Sequence, residues 1–337
     1  MLKPRLDKHH DLIQSTREMF PESSIGLIGC FSAGLDYPVC ELDLLITTKN
    51  NRKPERLRIE NRVIDAFFIK EREIKELKNN HLRSTIGSCV PVQDKRWVLA
   101  SAISRSKSAG LQLIRRKLAR EETNKILLGL GAATSAYKEG YNQSGGYWML
   151  YAGYSILKGL ILSSGLIPSP AHLLDQIKNL HIEFTEAENK ALNLSEASIS
   201  SIKRRLEFFE HVWKTWFKEL ENSNIEYLFT SSESLNLISE KTRYLADNHR
   251  VVEAFTYIGF EIVRLIKAIY LHYTSIYRVK TKYHRIIEEI EEKIFGEIKI
   301  DSDQFNKMGI RTDVEENQKM IEKLKLKSMN LTQTRVG

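Results

Sequence analysis

Glu41-Leu42-Asp43 sets two acids two residues apart in a strand-like run, a short loop after Gly29-Cys30-Phe31-Ser32-Ala33-Gly34. Side chains alternate along a strand, so Glu41 and Asp43 point one way while Leu42 and Leu44 point the other. Two strand rises put the acid Cα atoms about 6–7 Å apart, a natural claw for a hard divalent cation. Magnesium takes oxygen ligands and commonly sits between one or two carboxylates and a substrate phosphate. The glycine turn nearby lets backbone N–H groups face such a phosphate. A third acid, Asp65, is the only one in the apolar run from Arg62 to Ile69. A carboxylate there is costly to bury unless something pairs with it, and a metal shared with Glu41 and Asp43 would do so.

The elements that must position these residues follow from periodicity. Residues 5–20 carry apolar positions at helical spacing and end at Pro21. Strands are predicted over Ile25–Gly29 and Glu41–Thr47, and a hairpin from Arg56–Ile59 and Arg62–Ile69 turns at Glu60-Asn61. Residues 71–80 read as a helix. The sum is a small α/β domain over residues 1–95. Beyond Trp97 strand alternation disappears, and residues 96–280 read as a helical bundle. Its signals are a capping box at Thr185–Glu188, Ser169-Pro170 as N-cap and first helical position, and a break at Gly140–Gly146. Apolar stripes run through Ile202, Leu206, Phe209, Trp213 and Phe217, and through Val252, Phe255, Ile258, Ile262 and Ile266. Residues 281–337 read as a charged, peripheral helical extension with a loose tail. The expected fold class is α+β, a small mixed sheet followed by a larger helical domain.

The order strand, Gly29-Cys30, spacer, Glu41-x-Asp43, then Asp65 on a later strand resembles the nucleotidyltransferase superfamily of the DNA polymerase beta type. The resemblance covers residues 25–69. It places Gly29 and Cys30 on the family's Gly-Ser pair, Glu41 and Asp43 on its metal-binding pair and Asp65 on its third carboxylate. Cys30 stands where the family usually has Ser, which removes a hydroxyl near the phosphates. Glu41 stands where Asp is commoner, which lengthens one ligand by a methylene. The stretch from Tyr147 to Leu174 is loosely similar to HEPN helical bundles and to the helical domain of kanamycin nucleotidyltransferase-like enzymes. The resemblance implies an enzyme that moves a nucleoside monophosphate from an NTP to an acceptor hydroxyl, with Mg2+ or Mn2+ on Glu41, Asp43 and Asp65. It implies phosphate contacts from Gly29, Cys30, Ser32 and Gly34, with Arg116 and Arg120 as further candidates on one helix face. RNA, a protein or a small molecule could be the acceptor. Two other readings stand beside it: a catalytically inactive, nucleotide- or RNA-binding regulatory protein, and a HEPN-type ribonuclease.

Composition bounds these readings. At 337 residues the chain has room for two domains, and 42% hydrophobic content is enough to build their cores. No apolar run reaches the ~18–20 residues of a membrane span, and the first residues lack a signal core, so a cytoplasmic location is expected. The net charge of +8 suits a polyanionic partner, an NTP or RNA. A homo-oligomer, or a partner held by the charged C-terminal extension, is compatible with it. Cys30, Cys40 and Cys89 have no Cys-x-x-Cys spacing, so neither a zinc site nor a disulfide framework is expected. Arg205–His211 and Arg243–His249 match the HEPN Arg-x(4–6)-His pattern at a frequency chance would produce, and His211 is expected to pack near Trp213. Tyr147, Trp148, Tyr151 and Tyr154 could stack on a base, but their spacing also fits a core stripe.

Overall fold

The computed structural model describes residues 10–59, 62–221, 232–277, 282–292, 306, 308–310 and 313–333. Helix α1 (His10–Met19) leads into a five-stranded mixed sheet: β1 (Ile25–Leu27), β2 (Leu42–Thr48), β3 (Glu55–Ile59), β4 (Arg62–Lys70) and β5 (Val90–Gln93). The strand order is β3-β4-β2-β1-β5. Strands β2 and β4 are parallel, while β3 pairs with β4, and β1 with β2 and β5, in antiparallel fashion. The sheet is therefore mixed, as expected. The hairpin turn at Glu60-Asn61 lies outside the described residues.

Alternation assigns the two sheet faces. Leu42, Leu44, Ile46, Ile64 and Ala66 join the main core, which runs on into the helical region. On the other face, Leu45 and Ile69 pack with Ile74, Leu77, Ile86, Leu99 and Ala102. These last residues come from the α3–α5 layer: α3 (Glu71–Glu76) with its cap Leu77, α4 (Asn80–Gly87) and α5 (Val98–Ser108). The helix predicted over 71–80 is thus two helices. Leu77 takes a left-handed φ of 45° that ends α3, and the Asn79 side chain accepts from the backbone N–H groups of His81 and Leu82 to start α4. Strand β5 has no counterpart in the sequence reading. It is four residues long and contains Pro91, which an edge strand tolerates.

The helical region comprises α6 (Leu111–Lys138), α7 (Asn142–Ser163), α8 (Leu173–Asn179), α9 (Glu186–Leu192), α10 (Ile199–Glu221), α11 (Ser232–Asp247), α12 (Val251–Tyr277), α13 (Ile286–Ile290) and α14 (Val314–Gln333). Helix α7 is buried almost all round, the signature of a central bundle helix. Tyr147, Trp148, Tyr151 and Tyr154 are all buried there, so they are core and not a base-stacking platform. The break before α7 falls at 139–141, and Gly145 and Gly146 lie inside the helix. A Cβ at Gly145 would meet the Tyr137 ring at 2.3 Å, so glycine there permits close packing of α6 and α7. The capping box forms as read: the Glu188 carboxylate accepts from the Thr185 backbone N–H at 2.7 Å.

The segment after 280 differs from the peripheral extension expected. Ile286, Ile287, Ile290, Met308, Ile310, Met320, Ile321 and Leu324 are buried in the main core. Helix α14 packs on α6, α7 and α9, and the Asn317 amide donates to the Tyr137 hydroxyl at 2.6 Å. Its charges form the outer face of a helix whose inner face is apolar, a pattern diluted by the many lysines and glutamates. Arg205 ties this segment in. Its fully buried guanidinium donates to the carbonyls of Met308 and Phe255 at 2.6 and 2.7 Å.

Candidate active site

Register brings the acids together. In the parallel pair β2–β4, Asp43 lies beside Asp65, and in the antiparallel pair β3–β4, Arg56 lies beside Asp65. The row Arg56, Asp65, Asp43 therefore crosses three adjacent strands on one face. Glu41 precedes β2, which begins at Leu42 and not at Glu41 as predicted. One carboxylate oxygen from each of Glu41, Asp43 and Asp65 nevertheless lies within 4.8 Å of the others. That spacing suits a shared hard cation.

The next position across the sheet is the end of β1, where Ile28 N–H donates to the Asp43 carbonyl at 2.9 Å. The strand stops at Leu27, two residues before the predicted end. Gly29 then turns at φ +69° and opens the short helix α2 (Gly29–Ala33), which ends at Gly34 with φ +71°. A Cβ at Gly29 would stand 1.9 Å from Asp43 Oδ2. Glycine here meets two demands at once, a left-handed backbone and contact with the carboxylate. Gly29→Ala is expected to cost about 1–2 kcal/mol for the backbone alone and to push Asp43 aside. Denaturation, read beside Mg2+-dependent NTP affinity, checks both effects. Unchanged affinity would show that the position of Asp43 does not matter to binding.

These residues line a cavity of ≈ 1220 Å³ between the sheet and the helices, large enough for a nucleoside triphosphate. Gly29, Cys30, Ser32, Glu41, Asp43 and Asp65 all contribute to its wall. Gly34 does not, and the Ser32 hydroxyl donates to the Gly29 carbonyl at 2.8 Å. Arg116 and Arg120 also stay outside the lining, whereas their neighbour Arg115 is buried and enters it with Lys107, Lys158 and Arg264. The helix turns the predicted basic face away from the sheet, and the reading missed its cavity residue by one position. Arg115 is engaged, donating to the hydroxyls of Ser84 and Ser88 and to the Gly165 carbonyl. Lys158 makes no ion pair among the described residues. Its ammonium lies 4.6 Å from the Phe260 ring centroid, and burial pushes its pKa down to about 8.

Two of the three acids have cationic partners. Arg56 donates to both oxygens of Asp65 at 2.6 Å, and its remaining nitrogen donates to Ser234 at 2.8 Å. Glu41 pairs with Lys241 of α11, which is 5% exposed. Sequence reasoning missed Lys241 because it arrives from a different part of the chain, and no local pattern marks a lysine aimed at an acid 200 residues away. Burial alone would raise Glu41, but the Lys241 ammonium more than offsets it and holds the carboxyl below its ordinary value. Asp65 stays raised, because burial outweighs the Arg56 guanidinium. Asp43 is raised furthest, by burial and by the charges of Glu41 and Asp65. Among the described residues nothing donates a hydrogen bond to its carboxylate. An oxygen-lined position with an unsatisfied, charge-crowded carboxylate at its centre fits a divalent cation.

Arg205 is spent on backbone carbonyls, while His211 is exposed, contrary to the packed position expected, and His249 is exposed after α11. No protein-family model and no curated protein matches the chain. Among solved structures it is similar to a nucleotidyltransferase-like protein from Exiguobacterium sibiricum 255-15. The identity is 10%, the TM-score 0.32, and the alignment covers 90% of this chain and 92% of that one. So distant a likeness carries no weight on activity. No helix among the described residues is long and apolar enough to cross a membrane.

Proposed function

We propose that the cavity binds a nucleoside triphosphate and that the chain transfers its nucleoside monophosphate to an acceptor hydroxyl, releasing pyrophosphate. The observation that supports this reading most is the convergence of Glu41, Asp43 and Asp65 within 4.8 Å on the wall of a cavity of nucleotide size. A divalent cation held by these acids would neutralise phosphate charge and polarise the reacting phosphoryl oxygen. The chain's own part is positioning, which dominates phosphoryl transfer. Asp43 and Asp65 are fixed by strand register, Gly29 leaves room beside them, and Lys158 supplies positive charge on the helical side, where Arg264 is already paired with Glu261 at 2.9 Å. The basic balance of the chain makes RNA the first acceptor to test.

A second reading has its own observation. Lys241 and Arg56 already neutralise two of the three acids, an arrangement that also suits a protein that binds a nucleotide without turning it over. Calorimetry with ATP, GTP, CTP and UTP, in Mg2+ and then in EDTA, tests binding. Metal-dependent binding of at least one NTP is expected, and none at all removes both readings. Transfer of α-phosphate label to RNA, protein or small molecules from a cell extract supports the enzyme. Metal-dependent binding without transfer supports the second reading.

A further inference from the structure

Cysteine spacing argues against a zinc site, yet the fold assembles one set of donors for it. Cys30 lies in α2, Cys40 in the loop before β2, and His172 in the single 3-10 turn Pro170–His172 that precedes α8. One ligand atom from each lies within 4.8 Å of the others, and all three residues are buried. Cys40 Sγ and His172 Nε2 are 3.4 Å apart. A tetrahedral zinc ion with bonds of about 2.3 Å to sulfur and about 2.0–2.1 Å to nitrogen puts those two atoms roughly 3.5 Å apart. We propose that Cys30, Cys40 and His172 bind a thiophilic divalent cation of the Zn2+ type, distinct from the hard cation suited to the three acids.

The surroundings are those of a metal-bound imidazole. His172 Nδ1 is buried without a hydrogen bond, and its nearest anionic neighbour is Asp175 Oδ2 at 3.5 Å. Asp175 is held in turn by the Tyr37 hydroxyl and by Arg250. A carboxylate behind the second imidazole nitrogen is the usual way a zinc-binding histidine is oriented. The Tyr37 ring lies over the imidazole, with centroids 4.0 Å apart. The Tyr37 backbone N–H donates to Cys40 Sγ at 3.4 Å, an interaction that favours a thiolate. Charge also closes. Two thiols lose their protons on binding, and Zn2+ with two thiolates and a neutral imidazole has no net charge, so the centre tolerates burial.

Cys89 shows what a packing thiol looks like in the same chain. It is buried among apolar residues of the α3–α5 layer, against Gly26 and close to Leu99, and belongs to no such cluster. Simple packing does not explain why Cys30 and Cys40 meet a buried imidazole with a carboxylate behind it. A Cys30–Cys40 disulfide would leave that imidazole without a purpose. No fourth histidine, cysteine or acid among the described residues joins the cluster, so one coordination position is left for water or a ligand. All three donors line the large cavity. The choice of ion follows donor chemistry: sulfur and imidazole select zinc, whereas a set of carboxylates selects magnesium or manganese.

The site does not rest on the nucleotide reading. Protein produced with added zinc, then dialysed against metal-free buffer, is expected to retain about one zinc per chain by mass spectrometry of its metals. Cys40→Ser and His172→Ala are expected to lose it, while Cys89→Ser keeps it. Replacement by Co2+ in the wild-type protein needs no variant to fold. It is expected to give the visible bands of a tetrahedral ion together with the intense thiolate-to-cobalt charge-transfer absorption, which oxygen ligands do not produce. A wild-type protein that holds no zinc and shows no charge-transfer absorption overturns the site. So does zinc retention unchanged in folded Cys40→Ser. A mass lower by two hydrogens, with no metal bound, assigns Cys30 and Cys40 to a disulfide instead.

Discussion

In Asp43→Asn, transfer of label from an NTP is expected to fall by about 10²–10³-fold, the scale on which loss of one group stabilising transition-state charge is felt. Asp43 stands between the paired Glu41 and Asp65 and has no hydrogen-bond donor of its own among the described residues. On the proposed reading a cation is the partner it lacks, and asparagine keeps the shape while removing the charge that would hold the cation. The same variant carries a signature in stability. The folded Asp43 carboxyl is raised well above its ordinary value of 3.8 by burial and by the two neighbouring acids. Such a group favours the folded state below 3.8 and loses that contribution as pH rises through the folded value. At neutral pH, without metal, the raised Asp43 carboxyl therefore opposes folding. Metal-free Asp43→Asn is therefore expected to melt higher than wild type, while Mg2+ stabilises wild type and leaves the variant unchanged. Thermal melts with Mg2+ and with EDTA at acidic and neutral pH read both arms. Equal responses to Mg2+ in the two proteins would take Asp43 out of the metal site.

Lys241→Met is expected to cost about 3–5 kcal/mol of folding stability, because it leaves the largely buried Glu41 without its counter-charge. The measurement is the chemical-denaturation midpoint in EDTA. Its repetition in Mg2+ asks whether Lys241 and a cation can occupy the acid site together. If they can, Mg2+ stabilises wild type as well as the variant and restores much of the loss. If Lys241 has replaced the metal as the site's resident cation, Mg2+ stabilises wild type little, and the variant becomes the better metal binder. A loss below about 0.5 kcal/mol, the range of an exposed pair, would mean that water reaches Glu41 and that the pair does not organise the site.

Four of the five strands were legible because their signals are local. Alternation at 41–47 and 62–69 marked β2 and β4, and the lone acid in the second run marked Asp65. Convergence of the three carboxylates followed from strand geometry, although parallel register between two strands had to be supplied by the fold. The zinc-type cluster and Lys241 were not legible, because each depends on a helix packing against a loop far away in sequence. His172 is 132 residues from Cys40, and motif spacing has no reach over that distance. The basic helix after the sheet was readable as a helix, but its rotation was not. Arg115 and Arg116 differ by about 100° around the axis, and only packing against α4 and α7 decides which of them enters the cavity. The charged C-terminal segment misled for a related reason: lysines and glutamates on one face of α14 hid the apolar face that the bundle covers.

The ion pair between Glu41 and Lys241 also has a place in time. The two residues are 200 positions apart, and synthesis at about 5–20 residues per second separates them by about 10–40 s. The strands carrying the acids leave the ribosome first, and α11 follows much later. During that interval the chain has Arg56 but not Lys241, so Glu41 is without its counter-charge. On the proposed reading, a cation would thus reach the acids before Lys241 does. Lys241 would then have to displace that cation to form the pair seen in the folded chain.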